Sequence, residues 1–366
     1  KSPGHDGIPP ELLKCSGAAG VDMLTDLFNV VYDRGVVPRS WRLGNIVPLF
    51  KKGERTECGN YRGITLLPTI DKLYTAILAD RIYDAVPLND LQFGFRKGVG
   101  TSEALFVLVT AIQARFARGG PLHMLSLDVR KAFDTVNRSL LLVTLHERGV
   151  SGKLWGAVRA LYTSTKSRVV CNGVQSEYFD IHKGVAQGCP LSPILFAVYV
   201  DDLLDRLKGI APQCGVRVPG LRPGREEATH VPGLAFADDN ILLSGSTDGV
   251  LSSDDCVAGV LEERLLDQAM NKREYTEFAK QPANVPPLEA GGHVTPACDV
   301  FKWVGLVLNR SLGWGPQIAR ASGAGQYALH RFARVLQSPH YQVGPKRLVI
   351  ATHIVPKMRY GMEIWI

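Results

Sequence analysis

Two stretches of this chain carry carboxylates where adjacent strands would present them together. In LHMLSLDVRKAFDTV, Asp128 closes a run of strand formers and precedes a helical pattern. In LAFADDNILLSGS, Asp238 and Asp239 stand between two short apolar runs. Read as a hairpin, the second stretch has Asp238-Asp239 as its two-residue tip. If the two strands lie side by side in one sheet, Asp128 and Asp238 project into the same space. Carboxylates crowded in this way repel one another strongly unless a divalent cation neutralises them. Hard oxygen ligands suit Mg²⁺, which keeps several waters and takes further ligands from phosphate oxygens. Two such ions a few ångströms apart could activate an attacking hydroxyl and stabilise a departing pyrophosphate. Asp-Asp is also ordinary turn chemistry, because Asp readily hydrogen-bonds its own backbone. The pair by itself leaves both roles open.

The elements that must position these acids are legible as periodicities. Apolar residues recur at helical spacing over Asp22–Tyr32, Leu73–Tyr83, Ser102–Arg115, Ser139–Glu147 and Val250–Met270. Leu122–Leu127, Ser167–Cys171, Tyr178–Ile181, Gly233–Phe236 and Ile241–Ser244 are short and rich in strand formers. Gly/Pro-rich stretches at Ile210–Gly224 and Gln281–Ala297 predict long loops, and ARGGP at Ala117–Pro121 predicts a sharp break. The mixture predicts an α+β chain built on an antiparallel sheet with helices packed on one side.

At 366 residues and 45% hydrophobic composition the chain can bury a substantial core, and two or three subdomains are expected. The net charge of +7 is unevenly spread. Residues 301–366 hold nine basic side chains against one acid, a net of +8 that leaves the first 300 residues at −1. A cationic C-terminal segment on a near-neutral body points to a polyanionic partner, with nucleic acid favoured over a membrane surface. A solvated basic face is the plainer alternative. The seven cysteines are scattered, none at the two-residue spacing that zinc sites favour, which fits a reduced intracellular compartment. The nine histidines form no metal-ligand pattern, and the longest apolar run, Ile194–Val200, is far too short to span a bilayer. KSPGHDGIPPELL begins inside a turn and YGMEIWI stops on an apolar run, so a fragment of a larger protein is expected.

LSLDVRKAFDTV, KGVAQGCPLSPILFAVYVDDL and LAFADDNILL, in this order, resemble motifs A, B and C of reverse transcriptases, specifically those of non-LTR (LINE-like) retrotransposons. KSPGHDGIPPELL resembles that family's N-terminal motif, and NYRGITLLPTIDKLYTAILADRI and QFGFRKGVGTSEAL its fingers motifs. FKWVGLVL resembles its primer grip and YGMEIW its thumb segment, so the resemblance covers the whole chain. It implies a right-hand polymerase: fingers at residues 1–121, a palm with an antiparallel sheet at 122–309, and a partial helical thumb at 310–366. The implied reaction is RNA-directed DNA synthesis by two-metal nucleotidyl transfer, with Mg²⁺ or Mn²⁺ as cofactor. RNA template, DNA primer and deoxynucleoside triphosphates are the implied partners, no membrane is implied, and the implied setting is the nucleus.

Carried over position by position, the resemblance makes Asp128, Asp238 and Asp239 the catalytic and metal-binding acids, Asp239 the most indirect. Phe133, five residues after Asp128, matches the aromatic that excludes a 2′-hydroxyl; core packing is its ordinary alternative. Gln187 matches the residue that contacts the incoming nucleotide, and Gly188 allows close backbone approach. Arg62 and Lys72 match basic positions near the triphosphate, as does Arg96 more loosely. Phe301, Lys302, Trp303 and Gly305 match the primer grip, and Lys346 and Arg347 are expected to bind nucleic acid. Asp134, Asp201 and Asp202 read as helix-end or surface charges. One segment, AMNKREYTEFAKQPANVPPL, departs from the family pattern of a turn with Asn followed closely by a general-acid Lys, and only Lys280 stands near the expected distance. Three other readings remain: an RNA-copying RNA polymerase, against which Phe133 argues; a decayed or domesticated nucleic-acid-binding remnant; and a metal-dependent nuclease, which would not require QGCPLSP.

Overall fold

Leu122–Asp128 carries apolar residues on both faces, Leu122 and Met124 on one and Leu125 and Leu127 on the other, the pattern of a strand covered on both sides. In the computed structural model, which describes residues 3–219 and 228–365, Leu122, Met124 and Leu125 are fully buried. Strands in chain order are β1 (Leu43–Phe50), β2 (Tyr61–Leu66), β3 (Leu122–Asp128), β4 (Lys166–Cys171), β5 (Val174–Gln175), β6 (Phe179–Asp180), β7 (Val216–Val218) and β8 (Thr229–Val231). They continue as β9 (Gly233–Phe236), β10 (Asp239–Ser244), β11 (Glu274–Phe278), β12 (Leu288–Ala290), β13 (His293–Thr295), β14 (Val300–Trp303) and β15 (Leu306–Asn309). The longer helices are α1 (Gly17–Arg34), α2 (Thr69–Ala85), α3 (Thr101–Ala117), α4 (Arg138–Glu147), α5 (Gly152–Tyr162), α6 (Ser192–Cys214), α7 (Thr247–Glu263) and α8 (Gly315–Gln337).

The chain forms two compact units, each assembled from separate stretches. One comprises Asp90–Asp128, Leu204–Gly259 and Gln268–Ile366. Its four-stranded sheet has the order β11-β3-β10-β9 and is antiparallel throughout. Ile241, Leu242 and Leu243 of β10 are buried, as are Leu105, Leu108 and Ile112 of α3. Burying these side chains removes apolar surface from water at roughly 25 cal/mol per Å².

The other unit comprises Lys1–Asn89, Val129–Leu203 and Val260–Asp267. Its sheet runs β2-β1-β4-β5, with β6 also on β4, and it is mixed: β1 pairs antiparallel with β2 and parallel with β4. The expectation of an antiparallel sheet therefore holds in one unit and fails in the other. Parallel pairing needs a long crossover, and more than a hundred residues separate β1 from β4.

Three predicted boundaries shift for local reasons. The helix expected over Val250–Met270 stops at Glu263. Leu265 there takes φ +53°, its N–H bonds Glu262 O at 3.0 Å, and Leu266 N–H bonds Leu261 O at 2.8 Å. That is a Schellman closure with leucine where glycine is usual. The loop expected at Gln281–Ala297 contains the β12–β13 hairpin, turned at Gly291 and Gly292, both with positive φ. In the loop expected at Ile210–Gly224, α6 continues to Cys214 with Pro212 inside it, and β7 follows; residues 220–224 lie outside the described residues.

In α2, Asp71 is 2% exposed, and its Oδ1 has no hydrogen-bond partner among the described residues. It lines a cavity of about 360 Å³ together with Thr75, Asp134, Gln187 and Cys189. Loss of water pushes its pKa from 3.8 up to about 7, against the pull of Lys72. Between these values the folded chain holds a proton that the unfolded chain has released. Stability should therefore fall as pH rises from about 4 through 7 and level off above. Asp71→Asn removes this dependence and should add up to about 4 kcal/mol at pH 8. Urea midpoints of parent and variant across that range test it; parallel profiles would refute the assignment.

Candidate active site

Asp128 ends β3 and Asp239 begins β10, and the antiparallel register makes them Cα partners. On its other edge β10 pairs with β9, where Asp239 lies opposite Phe236. The turn is therefore Ala237-Asp238, one residue earlier than the expected Asp238-Asp239 tip. Ala237 has φ +61°, the value that a tight hairpin turn demands and that normally selects Gly, Asn or Asp. An alanine in that place conceals the turn from a sequence reading.

The three acids sense one another. Asp239 is pushed up to about 6, first by loss of water and then by the charges of Asp238 and Asp128, with Lys272 opposing. The residue keeps substantial solvent exposure, so the shift carries little stability cost. Lys272 Nζ donates to both carboxylate oxygens of Asp128, at 2.9 and 2.8 Å. The short turn that carries it, Met270–Lys272, is tied down on both sides. Ala269 N–H donates to the Asp128 carbonyl at 2.8 Å, and the buried Arg273 guanidinium meets the buried Asp254 carboxylate at 2.5 Å. Lys280, the lysine expected near this site, lies just past β11 and is exposed. The adjacent pair Asn271-Lys272 was the available sequence signal.

Among the described residues no three His, Cys, Asp or Glu side chains form a gathered ligand set. The donor chemistry still fits a hard divalent cation. Asp128, Asp238 and Asp239 supply oxygens only, they repel one another, and the partner of Asp128 is a largely exposed lysine.

The predicted nucleotide-binding residues lie in the other unit. Thr65 N–H of β2 donates to the Gln187 carbonyl at 2.7 Å. Gly188 has φ +116°, and a Cβ there would stand 2.8 Å from Thr65 O, so only glycine fits. Gln187 Nε2 donates to Asp134 Oδ1 at 3.4 Å. Burial raises the Asp134 pKa, while Lys131, Lys51, Gln187 and Arg62 lower it. Asp134 is exposed in the short helix Ala132–Thr135, in line with its reading as a helix-end or surface charge, and it has cations around it. Lys51 and Lys131 join Arg62 here without having been singled out from the sequence. Phe133 is half-buried and stacks on Phe196 with centroids 5.2 Å apart, so its ring has a packing role whatever else it does. Lys72 is half-buried on α2.

Asp201 and Asp202 depart from the surface-charge reading. They lie within α6: buried Asp201 accepts from Asn89 N–H and pairs with Arg148 at 2.9 Å, and Asp202 pairs with Arg264 at 2.8 Å. Arg96, in the first unit, donates to the carbonyls of Asp90 and Gln92 at 3.2 Å. In the β14–β15 hairpin Phe301 and Trp303 are core side chains, while Lys302 is exposed. Gly305 takes φ +89° in the turn, where a Cβ would press on the Tyr360 ring at 3.0 Å. Lys346 is half-exposed and Arg347 exposed on the short helix Val343–Val349.

Residues 50–308 match the family model described as reverse transcriptase (RNA-dependent DNA polymerase). The chain belongs to the reverse transcriptase family. Its relatives are reverse transcriptases of non-LTR retrotransposons. It is 31% identical, over 90% of its length, to the Pol polyprotein of the type-1 retrotransposable element R2 of Popillia japonica, covering 45% of that protein. It is 24% identical, over its full length, to the RNA-directed DNA polymerase of the mobile element jockey of Drosophila melanogaster, covering 40%. The reverse transcriptase chain thus spans less than half of these relatives. Among solved structures, telomerase from Candida tropicalis with a fragment of telomeric RNA matches with a TM-score of 0.53 at 13% identity, covering 94% of this chain and 57% of that one. The apo telomerase of the same organism matches with a TM-score of 0.52 at 12% identity, covering 94% and 63%. These likenesses establish a mixed α+β fold of the reverse transcriptase and telomerase kind. No helix among the described residues is long and apolar enough to cross a membrane.

The Arg273–Asp254 pair holds the turn that brings Lys272 to Asp128. Arg273→Met strands a buried carboxylate and should cost about 3–5 kcal/mol in urea unfolding, whereas Arg273→Met with Asp254→Leu should recover most of that loss. A double variant as unstable as the single one would show that packing, not charge, holds the turn.

Proposed function

We propose that this reverse transcriptase domain extends a DNA primer on an RNA template by two-metal nucleotidyl transfer, as the polymerase core of a non-LTR element. Residues 1–121 would act as fingers, 122–309 as palm and 310–366 as a partial thumb. The observation that carries the reading is the register that pairs Asp128 with Asp239 and sets Asp238 in the adjoining turn.

Asp128 and Asp238 would hold Mg²⁺ or Mn²⁺, with Asp239 contributing mainly through its charge. When bound, the ions lower the pKa of the primer 3′-hydroxyl and neutralise charge on the phosphates. Lys272, which donates to Asp128, would have to release that carboxylate for it to hold an ion. Gln187 and Gly188 line the nucleotide's place through a backbone pinned to Thr65. Lys51, Arg62 and Lys131, with Lys72, would bind triphosphate, Arg through its planar fork and Lys as a point charge. Lys302, Lys346 and Arg347 lie exposed or half-exposed and would contact nucleic-acid backbone, the source of salt-dependent affinity.

Asp238→Asn keeps size but removes the charge that binds the cation. Single-turnover extension of a DNA primer on RNA with Mg²⁺ should fall on the order of 10³-fold, with duplex affinity little changed. Extension at the parental rate would falsify the assignment of this turn. For Phe133→Val, discrimination against ribonucleotides should drop by about ten-fold or more as space opens for a 2′-hydroxyl. Unchanged single-nucleotide discrimination would leave Phe133 as a packing partner of Phe196 alone.

A further inference from the structure

The acid turn is gripped from below by a segment far away in the chain. Leu91, Gln92 and Phe93 run alongside β9: Ala235 N–H donates to Leu91 O at 2.9 Å, Phe93 N–H donates to Ala235 O at 2.8 Å, and Gln92 forms a parallel bridge with Ala235. Gln92 is fully buried. Its Oε1 accepts two backbone hydrogen bonds, from Gly94 N–H at 2.8 Å and from Ala237 N–H at 3.0 Å. Two donors on one oxygen fix the amide's orientation and leave Nε2 buried without a partner among the described residues. Burying an unpartnered amide is costly, and the compensation lies in what the oxygen holds. Gly94 is part of the same grip. A Cβ on it would come within 2.2 Å of Ala237 N and 2.9 Å of Ala237 Cα, so any larger residue would push the turn away.

What is held is an alanine at φ +61°, a left-handed conformation that alanine does not favour and that persists only where surrounding structure over-determines it. Ala237 is followed at once by Asp238 and Asp239. We infer that Gln92, seated on Gly94, is a positioning residue for the acid turn: its Oε1 locks Ala237 in the left-handed conformation and so sets the direction in which Asp238 is presented. The inference rests on the polymerase reading of these acids. Gln92 would touch neither substrate nor metal, so its effect must reach the chemistry through the turn.

The test compares the parent chain with Gln92→Leu, which keeps bulk and removes the acceptor, and Gln92→Glu, which keeps a carbonyl acceptor and at a buried site stays neutral. Amide exchange at Ala237, which does not depend on activity, is measured first. Slow exchange in the parent, acceleration of about ten-fold or more in Gln92→Leu and recovery in Gln92→Glu are expected. Single-turnover extension titrated with Mg²⁺ should then show Gln92→Leu slowed by about ten-fold or more with a raised Mg²⁺ midpoint, primer-template affinity within about two-fold of the parent, and Gln92→Glu near the parental rate. Equal exchange at Ala237 in parent and Gln92→Leu overturns the grip. So does a Gln92→Leu chain that matches the parent in rate and Mg²⁺ midpoint, or a Gln92→Glu chain as impaired as Gln92→Leu. If Gln92→Leu does not fold, Gln92→Met, also without an acceptor, is scored by the same criteria. A parent that shows the protected Ala237 amide yet never extends a primer defeats the polymerase reading and leaves the grip standing.

Discussion

Like charges at the end of a β-pair are the constraint around which the first unit is organised. The pairing of β3 with β10 sets Asp128 beside Asp239, and the turn adds Asp238. Repulsion among the three must be offset by a cation or by protonation, and it adds to the loss of water that first raises the pKa of Asp239. Nearby contacts answer it. Lys272 donates to both carboxylate oxygens of Asp128, and a buried ion pair and a backbone bond hold the turn that carries it. Gln92 holds the hairpin from the opposite side in sequence terms, 145 residues before Ala237. A crowded acidic turn at a strand end would otherwise relax by splaying apart.

The second unit solves a different problem, that of making a polar surface from a backbone that must come close to its neighbours. Gly188 lies against Thr65 where no side chain fits, so the Gln187 carbonyl is used up on β2 and its side chain is directed to Asp134. One partly desolvated carboxylate then sits among Lys51, Lys131 and Arg62. Such a cluster carries an excess of positive charge around a single acid, the arrangement that anionic phosphate oxygens complement.

Both units use charge in the interior for architecture as well as at the surface. Asp201 and Asp202, adjacent in α6, each find an arginine, Arg148 and Arg264. Arg264 also occupies the C-terminal cap of α7, so one side chain joins the helix stop to the α6 acid and to Thr144. These pairs specify geometry more than they add stability, since desolvation offsets much of their attraction.

Much of the chemistry was written in local sequence. Apolar runs covered on both faces marked β3, β9 and β10, and the acids at their ends, together with the glycine of QGCPLSP, were identifiable by type and order alone. Such features are local: a strand's period and a glycine's steric freedom act within a few residues. What the sequence could not specify was which distant groups meet. Ala237 looks like strand rather than turn, Leu265 ends α7 without the glycine that usually signals a stop, and Asp201 and Asp202 look solvated. Lys272 reaches Asp128 across 144 positions, and Gln92 reaches Ala237 across 145. Residue types and spacing determined the candidate acids and the elements that carry them. Only tertiary packing decided the turn position, the counterion and the clamp, because strand register and burial are set by contacts between segments that no local pattern encodes.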